Sequence, residues 1–190
     1  SQLSYQGDIK IDLNKTDAVF QDVQSNMFQN VTLAKHFQYI YEANHSQLSK
    51  QDIKEDVLDN VQLLGLNQGE QLLKRYPFEL SGGMAQRVAF IMSLIRRPDY
   101  LFLDEPTSAL DQENVKKFMH YLIKAQEHYQ MTIVFITHDI NLVKDYATHI
   151  SIMQQGQLIE SGEASSILAN PTHSYTKNLI AIAHRRQAYA

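Results

Sequence analysis

Two short apolar runs constrain the fold of this chain more than anything else in it. Tyr100-Leu101-Phe102-Leu103 and Thr132-Ile133-Val134-Phe135-Ile136 are unbroken stretches of aliphatic, aromatic and β-branched residues. Without polar alternation, such runs read as strands buried on both faces, the environment of a parallel sheet. Between them, Asn114 to His128 is patterned as a helix. Strand, helix, strand indicates an α/β domain, and in its sheet ligands bind beyond the carboxyl ends of the strands. Both runs end in chemically useful residues, Asp104-Glu105 after the first and Thr137-His138 after the second.

The rest of the pattern fits the same class. Asp8 to Leu13 alternates like a half-buried strand, and Ala18-Val19-Phe20 is a second short apolar run. Leu33, Phe37, Ile40 and Tyr41 fall on one helical face, and Ile53, Val57, Leu58, Val61 and Leu64 form a cleaner stripe that reads as core. Turn-forming residues at Asn67-Gln68-Gly69 and Tyr76-Pro77 break the pattern after this stripe. A helix is expected from Gly82 to Ile95, capped by Ser81, with Arg96-Arg97 in its last turn and Pro98 closing it. Further on come a short helix from Ile140 to Tyr146, a hairpin about Gln154-Gln155-Gly156, and a last helix from Ser174 to about Ala183.

Composition narrows the function. The 190 residues suffice for one domain with a real core, and 44% hydrophobic with 20% charged residues is ordinary globular usage. A net charge of −4 disfavours general nucleic-acid binding, which needs a basic excess. No cysteine is present, which excludes disulfides, thiolate metal sites and a cysteine nucleophile. The longest apolar stretch, Val88 to Ile95, lies between Arg87 and Arg96 and is far short of the ~20 residues that cross a bilayer. The N-terminus has neither the basic start nor the apolar run of a secretory signal. A soluble chain is expected, reaching a membrane only through a partner.

Three places carry chemistry. An apolar strand that delivers Asp104 and Glu105 to its tip has the arrangement of a Walker B site, with Asp104 holding Mg²⁺ through waters and Glu105 polarising an attacking water. An acidic solvated turn before Pro106 is the plain alternative. Leu80-Ser81-Gly82-Gly83-Met84-Ala85-Gln86-Arg87 opens a helix whose first amides are unpaired and suit a phosphate. A simple capped helix needs only Ser81 and leaves the two glycines, at roughly 1 kcal/mol each in a helix interior, unexplained. His138 alone would be an ordinary loop residue, and its place after a strand raises it. His36, His45, His120 and His128 show no metal-ligand spacing and read as surface or packing residues.

Leu80-Ser81-Gly82-Gly83, Leu103-Asp104-Glu105-Pro106, Ser108-Ala109-Leu110-Asp111 and Thr137-His138-Asp139, in this order, resemble the motifs of the ATP-binding subunits of ABC transporters. Gln21, in Val19-Phe20-Gln21-Asp22, matches a fifth, the Q-loop. The resemblance implies a P-loop NTPase-like α/β domain with a parallel core sheet and an α-helical subdomain. It divides the chain into residues 1–20 from the end of an N-terminal β region, 21–97 with the Q-loop, helical subdomain and signature, 98–160 with the core sheet and its Walker B, D-loop and H-loop, and 161–190 as a helical tail. It further implies ATP and Mg²⁺ as cofactors. Glu105 would be the general base and His138 the switch histidine. Gln21 would bridge Mg²⁺, water and the membrane partner. Ser81, Gly82, Gly83 and Gln86 would face the nucleotide, Asp104 would be the Walker B acid and Asp111 would act across a dimer.

Within the family the chain is most similar to importer ATPases for dipeptides, oligopeptides and nickel. Tyr76-Pro77-Phe78-Glu79 before the signature, Met84 within it, and the tail Asn170-Pro171-Thr172-His173-Ser174-Tyr175 carry that likeness, while Ala85 departs from the common Arg. The implied partners are transmembrane permease subunits, a second ATPase subunit of the same or another kind, and indirectly an extracellular solute-binding protein, with no nucleic acid. The implied location is the cytoplasmic face of the membrane, peripherally. The pattern G-x-x-x-x-G-K-[ST] occurs nowhere in the chain. The expectation is therefore a fragment of a longer subunit with its N-terminal part missing, from a parent that hydrolyses ATP and itself not a competent ATPase. The alternatives are an interaction fragment that docks a permease, and a soluble ABC ATPase acting on DNA or ribosomes.

Overall fold

The computed structural model describes residues 10–23, 25–44, 48–108 and 110–188. They form two compact units, Ser1–Ile136 and Thr137–Ala190.

The first unit is built on three parallel strands in the order β1-β2-β3, with β1 Thr16–Val19, β2 Tyr100–Asp104 and β3 Thr132–Ile136. The register pairs Val19 with Leu103 and Asp104 with Ile136, so the carboxyl ends lie together. Leu101 and Leu103 of the central strand are fully buried, while of their alternates Phe102 is half-buried and Tyr100 exposed. Among the described residues β3 is an edge strand. Its Ile136 is 50% exposed and Val134 is also exposed, so the double-sided burial expected of Thr132 to Ile136 is not met. An unbroken apolar run has no polar face to mark which side stays uncovered, and period-two alternation decides the rest.

The expected strand at Asp8–Leu13 is also corrected. Asp8 and Ile9 lie outside the described residues, residues 10–12 have no regular structure, and Leu13–Lys15 is a 3₁₀ turn. Asp12 is the cause. Its carboxylate accepts from the Asn14 N–H at 3.0 Å and its carbonyl from the Thr16 hydroxyl at 2.7 Å, which caps a turn where alternation alone predicts extension.

Between β1 and β2 run α1 Leu33–Asn44, α2 Lys50–Leu63, α3 Gly69–Leu73 and α4 Gly82–Leu94. α1 buries Leu33, Phe37 and Tyr41 as its stripe predicts, together with His36. His36 donates from Nδ1 to the Thr32 carbonyl at 2.9 Å and accepts at Nε2 from the Phe28 N–H at 3.0 Å, which fixes the neutral Nδ1–H form. α2 opens on a reciprocal capping box between Ser49 and Asp52. It closes on a Schellman turn, with the Leu66 N–H bonded to the Val61 carbonyl and the Gly65 N–H to the Gln62 carbonyl. Arg96 and Arg97 lie beyond α4 rather than in its last turn, Arg97 in the left-handed region at φ +48°. After β2, α5 (Gln112–Tyr129) starts on the Asp111 cap and packs Phe118 edge-on against Phe90 of α4, with ring centroids 6.1 Å apart.

The second unit contains α6 (Ile140–Tyr146), the antiparallel pair β4 (His149–Gln154) and β5 (Gln157–Glu163), α7 (Ala164–Ala169) and α8 (Ser174–Ala188). Gln155 and Gly156 both have positive φ, the two-residue turn that matches strand twist in a tight hairpin. Ile150, Ile152, Ala164 and Ile167 form its core. The four segments read from the sequence mark motifs, whereas packing divides the chain once, after Ile136. Among the described residues no helix is long and apolar enough to cross a membrane.

Candidate functional site

β2 carries Asp104 as its last residue, half-buried, and the chain then turns sharply at Glu105. Glu105 adopts φ +46°, a conformation costly for a side chain with a Cβ, and its N–H donates to the Ile136 carbonyl at 3.0 Å. The turn is braced from within. Ser108 donates its hydroxyl to the Glu105 carbonyl at 2.9 Å, and its N–H reaches the same oxygen at 3.2 Å. That hydroxyl also accepts from the Gln21 side-chain amide at 3.2 Å. Gln21 stands just beyond β1, so the parallel register of β1 and β2 brings it to the acidic turn. The structure thus joins two expected site residues, Gln21 and Glu105, through Ser108, which sequence reasoning held only as a motif member, and Asp104 precedes Glu105 at the end of β2.

A second grouping forms at the start of α4. Ser81 is exposed and accepts weakly from the Met84 N–H at 3.4 Å. Gly82 is exposed, and a Cβ added there would meet open space. A Cβ on Gly83 would approach a Leu110 methyl carbon at 3.2 Å, so this glycine lies against the segment that leads into α5. Packing therefore accounts for Gly83 and not for Gly82. Asp111 is committed locally. It caps α5, accepting from the Asn114 N–H at 2.9 Å and side-chain amide at 2.8 Å, and these bonds hold its carboxyl below the usual range. Ala109, in the same motif, lies outside the described residues.

Gln86, expected to face a nucleotide, is 5% exposed, on the packed face of α4. One residue later Arg87 does work the sequence did not single out. It donates to the Gly83 carbonyl at 3.1 Å and to the Gly65 carbonyl at 3.4 Å, tying the first turn of α4 to the end of α2. A cation flanked by apolar helix residues was the available signal, and burial lowers its pKa.

His138 is exposed, two residues past the end of β3, in the loop that leads to α6. His120 and His128 are exposed and His36 is packed as described, while His45 lies outside the described residues. Among the described residues no three His, Asp or Glu side chains gather into a metal cage.

Comparison with known proteins places this geometry. The sequence profile of the ABC transporter family matches residues 2–108. The dipeptide transport ATP-binding protein DppD of Lactococcus lactis subsp. cremoris is 33% identical over 171 residues, 90% of this chain and 49% of that protein. The metal-staphylopine import system ATP-binding protein CntD of Staphylococcus aureus is 35% identical over 136 residues, 72% of this chain and 50% of its own. The chain spans about half the length of these relatives. Among solved structures, the ATP-binding cassette MJ0796, in a dimeric post-hydrolysis state bound to ADP and Pi, superposes with a TM-score of 0.68 at 26% identity, covering 79% of this chain and 63% of that one. With the ordered motifs, the parallel sheet and these matches in hand, the fold is that of the P-loop NTPase-like ABC cassette, and the chain belongs to the ABC transporter family.

Proposed function

We propose that the chain forms part of the ATP-hydrolysing subunit of an importer for peptides, nickel or metal chelates, acting at the cytoplasmic face of the membrane beside permease subunits and a second ATPase subunit. The observation that carries this is the braced turn, in which Gln21, Ser108 and the strained Glu105 are linked at the end of β2. Bound Mg²⁺–ATP would supply the phosphoanhydride to be cleaved and the cation that offsets its charge. The residues fit such a ligand, with oxygen donors at a strand tip and an exposed glycine-led helix start whose Gly82 leaves room for a phosphate.

Each residue then has a task. Glu105 takes the proton of the attacking water. Asp104 accepts hydrogen bonds from water around the ion. Gln21 orients that water and links the turn to the docking side. His138 donates to the terminal phosphate. Ser81, with the N–H groups of Gly82 and Gly83, donates to the terminal phosphate of a nucleotide held mainly by the opposite subunit. In the full-length protein Glu105→Gln should lower turnover by about 10²–10⁴ and leave an ATP-bound dimer detectable by size-exclusion. Near-normal turnover would remove Glu105 from the role of base. Because G-x-x-x-x-G-K-[ST] is not among the 190 residues, the chain by itself should bind ATP more weakly than low-micromolar.

A docking role is compatible with this reading and has its own observation. A groove of about 560 Å³ opens between the end of β1, α1 and α4, lined by Phe20, Val23, Met27, Tyr39, Ile40 and Met92. Phe20, beside Gln21, is 59% exposed at its edge. A cytoplasmic helix of the permease would seat there and bear on Gln21. Ile40→Asp in the full-length protein should abolish co-purification with the permease. Unchanged recovery would move the contact elsewhere.

A further inference from the structure

A second cavity, of about 300 Å³, lies wholly among α1, α2 and α3. Its floor is apolar, made by Phe37, Ile53, Val57 and Leu73, all buried. Its rim is not. Lys50 and Lys54 stand one turn apart on α2 with Lys74 just past α3, and the only acid among the described rim residues is Glu70. Glu70 is already matched by Lys54 at 2.7 Å, which with Lys74 further off lowers its pKa. Neither Lys50 nor Lys74 forms an ion pair among the described residues. An apolar slot beneath a rim with two cations in excess has a specific complement, an anionic head on an apolar tail.

We propose that this cavity binds a straight-chain monocarboxylate, with its head between Lys50 and Lys74 and its alkyl chain laid over Ile53, Val57 and Leu73. Size limits the tail. The cavity is at the lower end of ligand-pocket volumes, roughly 300–1,000 Å³, which suits a medium chain. The occupant is independent of nucleotide, since neither the braced turn nor the start of α4 lines the cavity.

Calorimetric titration of the 190-residue chain with hexanoate, octanoate and decanoate, all below their micellar concentrations, tests the proposal. Affinity should tighten by roughly fourfold per added methylene until the slot fills, while 1-decanol binds at least tenfold more weakly than decanoate. The charge reversal Lys50→Glu/Lys74→Glu changes only exposed side chains and should weaken decanoate at least tenfold while leaving decanol unchanged. Loss of binding in Val57→Phe, with circular dichroism unchanged, would place the tail in the slot. The proposal is overturned if decanoate does not bind below millimolar concentration, if decanol binds equally well, or if the charge reversal leaves decanoate affinity unaltered.

Discussion

Two backbone positions of the same sign make opposite demands on their residues. Glu105 holds φ +46°, and a left-handed conformation costs a residue with a Cβ roughly 1–2 kcal/mol. The other non-glycine residues with positive φ among those described, Gln68, Arg97, Gln130 and Gln155, sit at helix ends or in the hairpin turn, where the chain must reverse. Glu105 instead opens the turn that follows β2, where the Ser108 hydroxyl and N–H both bond to its carbonyl. Glu105→Gly should therefore raise stability by about 1 kcal/mol, read from the midpoint of urea unfolding. A lower midpoint would mean that contacts of the side chain hold the turn. Gly65 is the converse. It has φ +63°, and a Cβ there would fall 1.9 Å from the Tyr121 hydroxyl oxygen. Gly65→Ala should cost about 2 kcal/mol or more in the same assay. The sequence pointed to Gly82 and Gly83, because glycines in a helical pattern are anomalous on their face. It gave no sign of Gly65, whose constraint comes from a tyrosine far along the chain in α5.

Elements were legible where a period or punctuation marked them. α1 and α2 run long enough for a period of 3.6 to show and α4 is marked by its Ser81 cap and the Pro98 beyond it, whereas α3 and α7, of five and six residues, carry neither signal and pass for loop. The hairpin was legible because two short runs, Ile150 to Met153 and Gln157 to Glu160, flank Gln154-Gln155-Gly156, whose last two residues take the positive φ values of a tight turn. What the pattern could not show is how α8 is fastened. Glu160, on β5, accepts from the Thr172 N–H at 2.8 Å, the Thr172 hydroxyl at 2.9 Å and the His173 N–H at 3.3 Å, just ahead of the first turn of α8. These bonds, the Thr172 N–H foremost, pull its carboxyl down to about 2, against an ordinary 4.5. A depressed carboxyl stabilises the folded state fully above the unfolded value, so this contribution is intact above about pH 4.5 and fades as pH falls towards 2. Amide exchange in α8 should accelerate across that window relative to α6 of the same unit, once the intrinsic pH dependence is removed. Glu160→Gln should abolish the acid-dependent part, and an unchanged profile in that variant would assign the fastening to other groups.

At the scale of the whole molecule, the parallel sheet followed from two apolar runs and the helix between them, while the division after Ile136 did not, since it depends on contacts rather than composition. The link between Gln21 and Glu105 belongs to this scale too. It joins residues at the tips of neighbouring strands that lie far apart in the chain, through a serine that sequence alone could not promote. If hydrolysis in the full-length transporter uses that link, Gln21 and Ser108 must be energetically coupled. Gln21→Ala removes the donor to the Ser108 hydroxyl. Ser108→Ala removes both the acceptor and the hydroxyl bond to the Glu105 carbonyl, and keeps the backbone one. Either change alone should slow permease-stimulated turnover, and the double variant should be no slower than the worse single one. In a double-mutant cycle on kcat, this non-additivity should amount to about 0.5–1.5 kcal/mol, the range for contacting residues that share a hydrogen bond. A structural role confined to the turn would instead lower thermal stability in Ser108→Ala and leave the two effects on kcat additive. Additive effects would therefore detach Gln21 from the acidic turn, even if both residues proved necessary.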